Sequence, residues 1–154
     1  MANPPNVYEQ QFEYDDTDRP GYRAGVTRIG ALAGGKDTVL KEFQIPPGET
    51  LCPYHYEYEE EWLLLLEGTV TVRTPEGERT IKRGELMCFA PGPDGAHKVT
   101  NHSDAVALAL MWSSAREPSV AIYPDSDKMG VWAGEDRAML RRADGRVDYY
   151  DGER

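Results

Sequence analysis

The sequence predicts a single all-β domain built as a sandwich or barrel, and two observations support this prediction. Short segments rich in β-branched and aromatic residues recur along most of the chain, and turn signals such as Pro46-Pro47-Gly48, Glu67-Gly68 and Arg83-Gly84 separate them. Many short strands with turns at this spacing are typical of a sandwich or barrel. The chain has no internal repeat and no break in composition, so residues 1–154 are predicted to form one domain.

The predicted strands follow an irregular or extended arm over residues 1–24, which is rich in Tyr, Asp and Pro. Apolar and polar residues alternate in Thr69–Arg73, which predicts a strand with one face in water. Trp62–Leu66 is continuously apolar but too short for a helix, so a core strand with both faces buried is predicted there. The predicted strands are Val26–Ile29, Thr38–Ile45, Thr50–Tyr56, Glu61–Glu67, Thr69–Thr74, Arg79–Lys82, Leu86–Ala90, Lys98–His102, Ala105–Ser113 and Val120–Tyr123.

The barrel is predicted to cover residues 26–123. The C-terminal tail after residue 123 is predicted to pack on this barrel or on a second subunit. Pro124–Asp127 is turn-like, Ala138–Ala143 is compatible with a strand or a short helix, and Val147–Tyr150 has the pattern of a strand. Trp132, Tyr149 and Tyr150 make this tail too aromatic for a free linker, because disordered segments are depleted in aromatic residues.

Composition excludes several classes of function. The formal net charge of −10 and the pI near 4.7 argue against binding to nucleic acids, which needs clustered basic residues, and against binding to anionic membranes. No segment approaches the roughly 20 apolar residues of a membrane span, and the acidic N-terminus lacks the regions of a signal peptide. With only Cys52 and Cys88 and no Cys-x-x-Cys, a cytoplasmic protein with reduced thiols is expected, although one disulfide between them stays open.

Histidine and glutamate side chains cluster in the sequence around residue 57. His55 and Glu57 lie two residues apart, and on a strand such residues point to the same face. Glu61 needs only a tight turn across residues 58–60 to return a carboxylate to that face. The residues therefore predict that imidazole and carboxylate groups meet inside the barrel.

The spacing of these residues resembles the two motifs of the cupin family. Gly48-(x6)-His55-x-Glu57-(x3)-Glu61-(x6)-Gly68 resembles the first motif, with Glu57 in place of its second histidine and one extra residue before His55. Residues 84–101, with Gly84, Pro91, Gly95, His97 and Asn101, resemble the second motif, with one extra residue before His97. The two motifs are separated by 15 residues, as in small single-domain bacterial cupins.

The resemblance implies a double-stranded β-helix, or jelly-roll, barrel with the arm and the tail packed on it. It also implies that His97 joins His55, Glu57 and Glu61 as ligands of one divalent transition metal. Two imidazoles and two carboxylates suit Fe, Mn, Ni, Co or Zn, and the residues do not choose among these ions. If Glu57 does not bind the metal, it lies close enough to a substrate to serve as a general base.

Each candidate residue also has a purely structural interpretation. A lone histidine such as His102 is most often a surface residue, and Asn101 is more often a structural hydrogen bonder than a ligand. Glu57 belongs to an acidic turn with Glu59 and Glu60 that is equally compatible with simple solvation. Glu61 leads directly into an apolar strand, where an unpaired charge would be costly.

Three functions fit these features. The first is a metal-dependent dioxygenase, isomerase or lyase that acts on a small oxygen-rich molecule. The second is a module that binds or senses a small-molecule ligand without turnover, and the third is a cupin that has lost its metal. A homodimer is also expected, because the aromatic arm (Tyr8, Phe12, Tyr14) and the segment around Trp132 supply apolar surface that a barrel does not cover.

Overall fold

Strands arranged in two facing layers form most of the regular structure in the computed structural model, which describes residues 3–153. The strands are β1 (Gly25–Thr27), β2 (Thr38–Ile45), β3 (Tyr56–Glu57), β4 (Glu61–Glu67), β5 (Thr69–Thr74), β6 (Gly77–Lys82), β7 (Leu86–Phe89), β8 (Lys98–Thr100), β9 (Ala107–Ser114), β10 (Ser119–Tyr123), β11 (Lys128–Ala133) and β12 (Asp136–Arg141). One short α-helix, α1 (Ile29–Leu32), precedes β2, and two short 3-10 helices occupy Pro93–Gly95 and Pro124–Ser126.

The first layer is a five-stranded antiparallel sheet in the order β1-β2-β9-β4-β7. The second layer consists of two smaller sheets, β12-β11-β10-β3 and β6-β5-β8. Isolated bridges between Thr50 and Thr100 and between His55 and His97 connect these two sheets edge to edge. The arrangement confirms the predicted double-sheet jelly roll, although hydrogen bonds between strands do not close a complete ring within residues 3–153.

The hydrophobic core lies between the two layers and receives side chains from both. Leu63, Leu65 and Ala109 are fully buried on the inner face of the first layer. Val72 and Val99 face them from the second layer and are equally buried. The alternation of inward apolar and outward polar residues in β5, which the sequence predicted, is what directs Val70 and Val72 into this core.

Most of the predicted strands are confirmed, and β2, β4 and β5 have the predicted bounds. The prediction of a strand over Val26–Ile29 was wrong at its end, because the chain turns into α1 at Ile29. The prediction of a continuous strand over Thr50–Tyr56 was also wrong. Pro53 interrupts it, since proline has no N–H to donate to a neighbouring strand, and regular pairing returns only at Tyr56.

The arm and the tail both pack on the jelly roll, as predicted. The arm pairs with the first layer through a bridge between Glu13 and Val26, and the Tyr14 hydroxyl donates a hydrogen bond of 2.6 Å to Gln44. The tail adds β11 and β12 to the edge of the second layer. The predicted strand over Val147–Tyr150 was wrong, because this segment forms turns and is exposed.

None of the helices in residues 3–153 is long and apolar enough to span a membrane. Cys52 and Cys88 are both free thiols. Cys52 is half-buried near His55, whereas Cys88 is exposed on β7, so the structure contains no disulfide between them.

Candidate metal centre

Backbone pairing places His55 and His97 side by side. Each residue donates its backbone N–H to the carbonyl of the other, at 3.1 Å and 2.8 Å, so the two side chains leave the sheet on the same face. Glu61 approaches from the facing layer as the first residue of β4. Its Oε2 lies 3.7 Å from the Nε2 atom of each histidine. Three of the predicted ligands therefore meet at one point, and their ligand atoms lie within 4.8 Å of one another.

Hydrogen bonds behind each histidine ring fix which nitrogen faces the cluster. The Nδ1 atom of His55 lies 3.1 Å from the carbonyl of Pro53, and that of His97 lies 2.9 Å from the carbonyl of Gly95. Because a carbonyl only accepts, each Nδ1 carries the proton, and each Nε2 presents a lone pair to the centre. This is the arrangement that orients histidines as metal ligands.

Tight packing holds His97 in this position. Its ring is fully buried and stacks on Phe89, with ring centroids 3.7 Å apart. The loop that carries the Gly95 carbonyl runs so close to Ala90 that a Cβ atom at Gly95 would lie 1.8 Å from the Ala90 carbonyl oxygen. Only glycine fits there, which explains why this motif position has no side chain.

Burial sets the protonation states of the cluster. Burial, followed by the neighbouring His55, lowers the pKa of His97 to about 3, and burial also lowers the pKa of His55. Burial, followed by the charge of Glu57, raises the pKa of Glu61 to about 8. Without a cation at neutral pH, both imidazoles are thus neutral and Glu61 is largely protonated, so the 3.7 Å contacts are not ion pairs.

The donor set fits a divalent transition metal. The Nε2 atom of His97 is buried and has no hydrogen-bond partner within residues 3–153, although a buried lone pair is normally satisfied. Two donors that are each about 2.1 Å from one ion lie at most about 4.2 Å apart, and the two separations from Glu61 to the histidines, each 3.7 Å, satisfy this limit. A cation would also replace the proton of Glu61 and give both imidazole lone pairs a partner.

The other predicted site residues occupy different environments. Glu57 lines the same cavity but is not among the three residues whose ligand atoms converge, so its role as a ligand or a base stays a prediction. Asn101 is structural, as one interpretation predicted: its amide donates to the carbonyls of Ile45 and Ala105, at 2.8 Å and 2.7 Å. His102 is exposed and lies outside this cavity.

The centre opens into a cavity of about 740 Å³ whose walls include residues that the sequence analysis missed. Tyr123 stacks on His55 with ring centroids 5.8 Å apart, and burial raises the pKa of its hydroxyl to about 12. Lys41, Cys52 and Trp132 also line the cavity. Alternation along the predicted strands could have placed Lys41 and Tyr123, but Trp132 lies on a strand that was not predicted.

Comparisons with known proteins agree with this architecture. Residues 41–113 match the family model described as a cupin domain. A putative sugar phosphate isomerase from Acidithiobacillus ferrooxidans has a similar structure, with a TM-score of 0.83 and 21% identity over 96% of both chains. A sugar phosphate isomerase of the cupin superfamily from Silicibacter pomeroyi aligns with a TM-score of 0.79 and 20% identity over 94% of this chain and 96% of that one. At these identities, the likenesses show the fold.

A curated relative matches a shorter part of the chain. Tetracenomycin polyketide synthase protein TcmJ from Streptomyces glaucescens is 24% identical over 90 residues, which are 58% of this chain and 56% of that protein. The chain thus spans little more than half the length of this relative.

Proposed function

We propose that this chain, whose residues 41–113 match the model of a cupin domain, is a metal-dependent enzyme that acts on a small, oxygen-rich molecule. The observation that carries the proposal is the convergence of His55, Glu61 and His97 beside a large cavity, which His55 and Glu61 line. Three protein ligands leave coordination positions open, which is typical of a catalytic rather than a structural metal site.

The neighbouring side chains support proton-transfer chemistry. A divalent ion in this centre would act as a Lewis acid on a carbonyl or hydroxyl oxygen of the substrate. Burial raises the pKa of Glu57, so this carboxylate is a stronger base than an exposed glutamate and lies on the cavity wall where a substrate would bind. Tyr123, whose hydroxyl keeps its proton at neutral pH, supplies a hydrogen-bond donor beside His55.

Among the reaction classes open to such a site, we favour an isomerase or a lyase. Both need a base to remove a proton next to a polarised carbonyl, and Glu57 beside the metal centre suits that step. The two structures with the same fold over almost the whole chain are described as a putative sugar phosphate isomerase and a sugar phosphate isomerase, which agrees with this choice. We also propose that the protein is cytoplasmic, where Cys52 and Cys88 would stay reduced.

Metal retention tests the proposal. The protein, purified without chelators and incubated with Fe, Mn, Ni, Co or Zn salts, should retain about one ion per chain after gel filtration, as measured by elemental analysis. His97→Ala should abolish this retention, because it removes one of the three convergent ligands. Glu57→Gln should weaken metal retention by at most about tenfold. This is the smallest effect usually seen when a residue that supports the ligands, but is not a ligand itself, is replaced.

The third histidine of the chain provides a matched control. His102 is exposed and outside the cavity, so His102→Ala should retain metal like the unchanged protein. Circular dichroism should show that the His97→Ala chain is still folded, and His97→Gln, which leaves a smaller void, serves as a second variant. Failure of the unchanged protein to retain any of the five metals would overturn the proposal and favour a ligand-binding module without catalysis.

A further inference from the structure

The tail forms part of the cavity wall although it lies outside the region that matches the family model, residues 41–113. Directly paired residues of antiparallel strands share a face. Glu57 is paired with Ala121 on β10, and Ser119, two residues earlier on the same face, is paired with Trp132 on β11. Trp132 is in turn paired with Arg137 on β12. Trp132 and Arg137 therefore extend the inner face that begins at Glu57.

Basic residues are concentrated around this cavity. The chain has 17 basic and 27 acidic residues, yet basic residues outnumber acidic ones among those lining the cavity. The basic residues are Arg28, Lys36, Lys41, Arg116 and Arg137. The acidic residues are Glu57, Glu61 and Glu117. The cavity thus reverses the charge balance of the whole molecule.

The basic side chains of the cavity form no direct ion pairs within residues 3–153. In residues 3–153, ion pairs within 4.0 Å join Arg73, Arg141 and Arg142 to aspartates, but none involves a basic residue of the cavity. Lys41 is half-buried and points inward, since it lies two residues before Phe43, which packs against the core. A half-buried ammonium that no carboxylate contacts directly is an arrangement suited to binding an anionic ligand.

Three of these residues, Lys41, Arg116 and Arg137, line the same cavity as Glu57 and Glu61. Lys41 projects from the inner face of β2, the face from which Phe43 packs against the core. Arg116 follows the end of β9, and Arg137 extends the opposite wall. Trp132 is on the strand between Arg137 and the centre, and its ring lies over Gly130. A Cβ atom at Gly130 would be 2.4 Å from this ring.

We propose that Lys41, Arg116 and Arg137 form an anion subsite that binds a phosphate or carboxylate group of the substrate. This subsite rests on the proposed function, because the substrate would bind at both places. One end of the substrate would bind at the metal centre, and an oxyanion at its other end would bind to these three residues. Arginine and lysine recognise both kinds of oxyanion by charge-assisted hydrogen bonds. The Trp132 ring supplies an apolar surface for the part of the substrate between the two ends.

Titration calorimetry of the full chain with inorganic phosphate, and separately with malonate, tests the subsite. The protein is first treated with a chelator, so that neither probe can bind through a metal. Each probe should bind in the cavity, and Lys41→Gln and Arg137→Gln should each weaken binding by about tenfold or more, the factor expected when a hydrogen bond to a charged group is lost. The tighter of the two probes identifies the group that the substrate carries.

Arg83→Gln provides a matched control, because Arg83 is an exposed arginine in the turn between β6 and β7, outside the cavity. It should leave the affinity for both probes unchanged. The subsite is overturned if the unchanged protein binds neither probe, or if Arg83→Gln weakens binding as much as the cavity variants do. Metal retention is measured separately, on portions of the same preparations that have not been treated with the chelator. Anion binding without metal retention would overturn only the proposed function, and metal retention without anion binding would overturn only the subsite.

Discussion

Two glutamates in the interior of this protein, Glu61 and Glu42, differ in the groups that surround their carboxylates. Glu61 points toward the lone pairs of two histidines, so a cation would stabilise its ionised form. Glu42 lies on β2 and is fully buried, and neither of its carboxylate oxygens has a hydrogen-bond partner within residues 3–153. It is paired with Leu110 on the outer face of the first layer and is not among the residues that line the cavity. Glu42 is therefore a candidate for a residue that destabilises the fold when it ionises.

Glu42→Gln should change how stability depends on pH. Burial raises the pKa of Glu42 from 4.5 to about 7, so between these values the folded chain keeps a proton that the unfolded chain has lost. The free energy of unfolding therefore falls as pH rises through this range. Glu42→Gln removes this fall, and the variant should exceed the unchanged protein by about 1–3 kcal/mol at pH 8. The difference should be small at pH 4.

Urea unfolding at pH 4, 6 and 8 measures this effect. Glu57 and Glu61 also have raised pKa values and contribute a fall of the same sign, so only the difference between the variant and the unchanged protein isolates Glu42. Glu76→Gln, at an exposed turn, is the control and should not alter the pH profile. A constant difference between Glu42→Gln and the unchanged protein at all three pH values would contradict the prediction.

At the scale of residues, the sequence predicted the centre better than the cavity around it. His55, Glu61 and His97 were identified because motif spacing fixes where imidazoles and carboxylates occur. Lys41 and Tyr123 carry no such spacing signal, and their roles depend on which face of β2 and β10 points inward. The absence of any partner for Glu42 was invisible in the sequence, because it depends on which side chains cover the outer face.

At the scale of elements, prediction succeeded where alternation and turns were clear. β5 was predicted with its bounds because alternating threonine and valine residues are followed by the Pro75-Glu76-Gly77 turn. The predicted strand over Thr50–Tyr56 was too long, because Pro53 interrupts the pairing and the observed strand begins only at Tyr56. β11 was not predicted, and β12 was predicted only as one of two alternatives for Ala138–Ala143, since Gly130 and the charged residues of β12 weaken the strand pattern. The stability of the β11–β12 hairpin comes from pairing with β10, which is a tertiary contact.

The β11–β12 hairpin should depend on the absence of a side chain at residue 130. A Cβ atom at Gly130 would lie 2.4 Å from the ring of Trp132, so Gly130→Val forces the ring out of its position. The free energy of unfolding should fall by about 1–3 kcal/mol, as in other overpacked sites. Tryptophan fluorescence should also shift to longer wavelength, because Trp132 would become more exposed to water.

Ala138→Val provides the control within the same hairpin. Ala138 is exposed on β12 and is paired with Val131, so a larger β-branched side chain fits there without a clash. Its free energy of unfolding should stay within about 0.5 kcal/mol of the unchanged value, as is usual for surface substitutions. Equal stability of Gly130→Val and Ala138→Val would show that the position of Trp132 does not constrain the hairpin.

At the scale of the whole molecule, the outer face of the first layer is unusually apolar. Trp62 on β4 stacks on Trp112 on β9, with the rings 6.0 Å apart and nearly parallel. Both rings, like Leu64 and Leu110, are only half-buried, and Leu86 on β7 is 53% exposed. The prediction that both faces of Trp62–Leu66 are buried was wrong for the outer face, where Trp62 and Leu64 are only half-buried. A contiguous apolar surface of this kind is typical of an interface between proteins.

We expect the protein to be a homodimer that buries this outer face, because the isologous contact of two identical apolar surfaces is the commonest route to a closed oligomer. Light scattering after gel filtration at micromolar concentration should give twice the chain mass of 17.3 kDa.

Leu86→Lys should shift the mass toward that of the monomer, because it places a charge in the interface without disturbing the core. Thr80→Lys, on an exposed position of β6 in the other layer, should leave the dimer intact. A monomer mass for the unchanged protein would show that this face is exposed in solution, and equal dissociation of both variants would place the interface elsewhere.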